Sequence, residues 1–120
     1  MSNIHMIVGT LVILGYIITL ILNARTAATG AEFSWQKIVS FTSATLLLLQ
    51  YMLGFSLLGE GKDVPAIHFI LALGAIIPVG IEHGMGSKKP TAKGRGQIGA
   101  MANALTLVVV LITYMIGQNN

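Results

Sequence analysis

The chain has 120 residues, 54% of them hydrophobic and only 9% charged, with a net charge of +3 and a mean hydropathy of +0.80. Soluble domains carry about 25% charged residues, so there is too little polar surface here to clothe a water-soluble globule, and no nucleic-acid partner is expected. There is no cysteine, which excludes disulfides, thiolate metal sites and c-type haem attachment, and no lipoprotein anchor is expected.

The apolar residues arrive in blocks long enough to cross a bilayer, which takes about 20 residues as a helix. In chain order they predict spans at about 4–23, 35–58, 64–83 and 97–117. The expected fold is a single all-α domain, an integral membrane four-helix bundle. No basic residue precedes the first run and Arg25 is the first charge, so a cleaved signal peptide is not expected. His5 lies so near the start that fraying of the first turn would leave it in water.

The first gap holds 29-TGAE-32 and the second 59-GEGKD-63, both turn formers with charge. Pro78 should loosen the third helix and free a carbonyl about one turn earlier. Just beyond it, Glu82-His83 reads as an interfacial pair facing water or the basic loop, with proton relay the less favoured role. The third gap, 84-GMGSKKPTAKGRG-96, reads as a basic, glycine-rich loop. It lacks both the G-x-x-x-x-G-K-[ST] spacing and the preceding strand of a phosphate-binding loop, so a topogenic segment touching anionic lipid is expected.

Arg25, Lys37, Lys88, Lys89, Lys93 and Arg95 all fall on the side of the first and third gaps, and only Lys62 falls on the other. The positive-inside rule then puts that basic side in the cytoplasm and both termini on the non-cytoplasmic side, in the plasma membrane. His5 and His68 lie toward the outer side and His83 at the cytoplasmic end.

Inside a membrane bundle, small and polar residues mark the faces where helices meet. Helix 1 presents such a row at helical spacing in His5, Gly9, Val12, Tyr16 and Thr19. Helix 3 presents His68, Ala72, Ala75, Val79 and Glu82. Helix 2 offers Ser40, Ser43, Gln50 and Gly54, and helix 4 offers Asn103, Thr106, Thr113 and Gly117. Gln50 and Asn103 should face inward and find partners. With Gln50, Tyr51, Thr113 and Tyr114 near the two histidines, the outer half is expected to be the more polar. Tyr51 and Tyr114 also suit an interfacial aromatic belt.

His5 and His68 stand 63 positions apart, as do Tyr51-Met52-x-Gly54 and Tyr114-Met115-x-Gly117. The shared offset suggests two parallel helix-hairpin repeats about an axis along the bilayer normal. Such symmetry would set the two imidazoles at one depth on opposite sides of the axis. Gly9 and Ala72, each four residues after a histidine, would give a flat ring clearance along the helix.

Paired His5 and His68 on four apolar helices resemble the haem-bearing bundles of small membrane cytochromes b, the b561-type cytochromes, and one half of haem A synthase. The resemblance is architectural. It implies haem b held between helices 1 and 3, with His5 and His68 on the iron, and electron transfer or haem handling near the outer face with a quinol or redox-protein partner. Cytochromes of the b561 type usually have two histidine pairs, whereas His83 has no partner here, so at most one haem is expected. The alternative is a non-catalytic subunit of a larger respiratory or photosynthetic membrane complex, or a homo-oligomer. A small proton-coupled transporter is less favoured, because Glu82 sits at a helix end. A Zn²⁺ or Cu²⁺ site on His5 and His68 with Glu60 or Asp63 is a weaker option. No nucleophile–base–acid set is present, so an independent enzymatic activity is not expected.

Overall fold

The structure, a computed structural model, describes residues 2–59 and 66–118. They form helices α1 (Ser2–Thr29), α2 (Gln36–Gly59), α3 (Ala66–Lys88) and α4 (Ala92–Gln118), with no strand among the described residues. This is an all-α four-helix bundle, and each helix is long and apolar enough to span a membrane. The runs are rich in Ile, Val and Thr, which are mediocre helix formers in water. In lipid no water satisfies the backbone, so only a structure that closes its own hydrogen bonds can cross, and the helix wins over propensity.

The helices outrun the apolar blocks, and local chemistry sets several ends. At 28 residues, α1 is about 42 Å long against a hydrocarbon core of about 30 Å. It stops at Gly30, whose φ of 75° suits a residue without Cβ and whose N–H closes on the Thr26 carbonyl at 2.8 Å. Helix α4 begins at Ala92, with the Thr91 hydroxyl accepting the Gly94 N–H at 3.0 Å. The stretch 84–96 is therefore mostly helical, not a loop. Gly96 belongs to a helix crossing: a Cβ there would lie 2.6 Å from the Ala27 nitrogen and 2.8 Å from the Asn23 carbonyl oxygen. Its absence lets the α1 and α4 backbones touch.

Around the bundle, α1 packs against α2 and α4, and α3 packs against α4, so α1 and α3 face each other diagonally. The α2–α3 side is bridged by side chains rather than close backbone, through the Ser40–Glu82 and Tyr51–Ala72 hydrogen bonds. Helix α3 is itself broken into α-helical 66–74 and 76–80, a π-helical turn at 81–85 and a 3-10 turn at 86–88. The first break lies one turn before Pro78, where the Ala75 N–H is shared between Leu71 and Ala72 carbonyls at 3.1 and 3.3 Å. Proline supplies no N–H to the carbonyl four residues back, and the helix loosens there.

Polarity is distributed inside out. Thr19, Thr26, Ser43, Asn103 and Thr106 are buried, while Ile7, Ile21, Ile38, Ile70, Ile77 and Met101 are exposed. That is the pattern of a bundle solvated by lipid, where small and polar residues glue helices together and aliphatic ones face the chains.

Candidate functional site

At the end of the bundle where α1 begins, the histidine end, α1 delivers His5 and α3 delivers His68 across the diagonal. Their ring centres are 6.5 Å apart and the planes meet at 73°. His68 Nδ1 lies 2.9 Å from the Thr113 carbonyl oxygen, so its N–H donates there and Nε2 is left with its lone pair. His5 is only partly buried, yet its Nδ1 is fully enclosed and has no partner. It lies within α1, which starts at Ser2.

Of the other residues expected at this site, Gly9 meets Gln50 and Tyr114, and Tyr51 meets Ala72. Gly9 is the contact point of two side chains: a Cβ there would lie 3.0 Å from Gln50 Nε2 and 3.3 Å from the Tyr114 ring. Gln50 Oε1 is buried without a partner. Tyr114 OH reaches Thr10 Oγ1 at 3.4 Å, and Tyr51 OH donates to the Ala72 carbonyl. Gly54 faces His5, whose Cε1 would stand 3.4 Å from an added Cβ. Tyr51 and Tyr114 thus tie helices together from partly buried positions.

Whether such residues fit a haem is a matter of donors and room. An imidazole nitrogen binds a metal at about 2 Å and the ring centre lies about 1 Å behind it, so two axial rings sit roughly 6 Å apart, centre to centre. The 6.5 Å pair meets that spacing, and a His68 oriented by a backbone carbonyl has the second-shell bond that metal-bound histidines usually make. Room is less open. The clearance expected beside Gly9 is filled by the ends of Gln50 and Tyr114, which must swing aside for a macrocycle edge. For a bare metal ion the set is poorer, because among the described residues no group of three or more His, Asp or Glu could hold one. Glu60 and Asp63 lie outside the described residues.

The opposite, basic end holds a second polar cluster, larger than the first. Gln36 Nε2 donates to Asn23 Oδ1 at 3.2 Å, Asn23 Nδ2 to Asn103 Oδ1 at 2.6 Å, and Asn103 Nδ2 to Glu82 Oε1 at 2.8 Å. The Ser40 hydroxyl donates to Glu82 Oε2 at 2.5 Å. One donor chain therefore visits all four helices and ends on a carboxylate that is only 7% exposed. This corrects two expectations. Glu82 is an interior group, not an interfacial one, and this end, not the histidine end, carries the larger buried network. Glu82 follows Ala75 and Val79 on the inward row of α3, and Ser40 and Asn103 enclose it there.

His83, expected in water or against the basic loop, is partly buried on the cleft wall beside Gly86, Ser87 and Arg95 of the basic stretch. It stacks on Phe41 at 4.8 Å and lies 3.6 Å from Glu82 Oε1. Asn23, Thr26 and Gln36 were not singled out in the sequence, although Asn and Gln at the edges of apolar runs are the signal that would have found them. No family model matches the chain, and comparison with curated proteins and with solved structures returns no match.

Proposed function

We propose that the protein is a membrane-embedded b-type haem-binding protein whose role is electron transfer or haem handling at the histidine end. The observation that carries this reading is the meeting of His5 and His68, from diagonally opposed helices, at 6.5 Å. His5 and His68 would hold the iron, and the bound group would supply one-electron chemistry. The residues around it have their own tasks. The Thr113 carbonyl fixes the His68 tautomer, Tyr51 ties α2 to α3, and the aliphatic helices exclude water. A plasma-membrane location with the histidine end outward follows from the basic residues under the positive-inside rule, and a quinol or redox protein would then approach from that face.

The test is an absorption spectrum of detergent-purified protein made with ample haem, oxidised and then dithionite-reduced, beside His5→Ala and His68→Ala. A sharp reduced α-band of b type, lost in both variants, is the expected result. A featureless visible spectrum overturns the reading and favours a non-catalytic subunit of a larger membrane complex. The continuous apolar exterior also suits that role, and co-purification of a defined partner would support it.

A further inference from the structure

The basic end opens into a cleft of about 540 Å³ whose walls include Asn23, Gln36, Lys37, Ser40, Glu82 and His83. From this geometry we infer that Glu82, with Ser40 and His83, is a reversible proton-binding site inside the bundle, loaded through that cleft. This inference is independent of the haem reading.

Charge balance is the first argument. Both Glu82 oxygens accept hydrogen bonds, from the Ser40 hydroxyl and the Asn103 amide, but both donors are neutral. A carboxylate taken out of water costs several kcal/mol unless its charge is compensated. The groups that face it are Tyr16 and Asn23 from α1, Ser40 and Lys37 from α2, Asn103 and Arg95 from α4, and His83 on its own helix. Arg95 is engaged at 2.7 Å by Glu32 at the cleft wall, and among the described residues Lys37 makes no ion pair. Among the described residues only His83 comes within ion-pair distance of Glu82, at 3.6 Å. Without a proton on one of the two, the site carries a buried negative charge; with one, it is neutral.

Geometry provides the route. Adjacent residues on a regular α-helix point about 100° apart, yet Ser40 Oγ touches both Glu82 Oε2 at 2.5 Å and His83 Nε2 at 3.4 Å. Both side chains that meet this hydroxyl lie in the π-helical turn Ile81–Met85, and π-bulges concentrate at functional sites. A serine hydroxyl can accept one proton while giving another. A proton arriving from cleft water on His83 passes from Nε2 to Ser40 Oγ as Ser40 passes its own to Glu82 Oε2, and nothing is gained or lost overall. His83 is the more exposed of the pair, at 22% against 8% for the side chains, so it is the port and Glu82 the store.

The experiment is infrared difference spectroscopy of the full chain in detergent across a pH titration, with glutamate carboxyls isotope-labelled. The expected result is a carboxylic C=O band that titrates in the wild type, vanishes in Glu82→Gln and shifts its midpoint in His83→Gln. Circular dichroism checks that each variant folds. If Glu82→Gln does not fold, Ser40→Ala keeps the carboxylate and must shift the same band. A band unchanged in Glu82→Gln, no titrating band in the wild type, or a midpoint indifferent to both Ser40→Ala and His83→Gln overturns the proposal.

Discussion

The two ends of the bundle solve the problem of polar groups in lipid in opposite ways. At the basic end Gln36, Asn23, Asn103, Ser40 and Glu82 join one hydrogen-bonded chain across four helices. At the histidine end, polar atoms are enclosed but unpaired: His5 Nδ1 and Gln50 Oε1 have no partner. A buried polar atom without a bond costs about 1–3 kcal/mol, whereas a satisfied one contributes modestly. The comparison teaches that the basic end is a finished clamp with a titratable group in it, while the histidine end keeps donors and acceptors that a ligand could take up.

The strongest challenge to that comparison is Gly96→Val. It drives a side chain into the α1 backbone at the clamp, where an added Cβ would already sit 2.6 Å from the Ala27 nitrogen. Overpacking costs about 1–3 kcal/mol and sometimes more, and the upper end is expected here because backbone cannot step aside. Thermal unfolding in mild detergent measures it, and an unchanged midpoint would mean that the α1–α4 crossing is not a rigid element.

Next in size is Glu82→Ala, which strands the Ser40 and Asn103 donors. A loss of about 2 kcal/mol is expected, with Glu82→Gln losing less because it keeps an acceptor. Equal losses in the two variants would show that the carboxamide does not restore the network.

At the other end, His68→Ala removes one hydrogen bond to the Thr113 carbonyl and should cost about 1 kcal/mol in ligand-free protein. In haem-loaded samples the cost should grow, since a ligand bound only to the folded state adds its own stabilisation. Identical melting shifts with and without haem would separate His68 from any such ligand.

Gly9→Ala should be milder still. Its nearest contacts are the ends of Gln50 and Tyr114 at 3.0 and 3.3 Å, and a flexible side chain can move, so less than about 1 kcal/mol is expected. If Gly9→Ala proves as damaging as Gly96→Val, the histidine end is as tightly built as the clamp.

The smallest effect belongs to Arg95→Ala. Its bridge to Glu32 is partly exposed, and surface pairs contribute about 0–1 kcal/mol. A larger loss would make the cleft wall part of the clamp.

What the sequence determined by itself is what lipid dictates residue by residue. Hydropathy is local, so four apolar runs were enough to announce four helices, and helical spacing was enough to place Val12, Tyr16, Thr19 and Ala75 inside, where they are buried. Three things needed the tertiary structure. Gly96 looked like loop material because a glycine in a basic stretch reads as flexibility, and only the approach of α1 shows that it is a contact. Asn23, Thr26 and Gln36 sat at span edges, where exposure is the default, and their partners come from other helices. Glu82 stood on the inward row with Ala75 and Val79 but near the end of its span, where exposure is the default; that it is enclosed was decided by Ser40 and Asn103, which come from other helices.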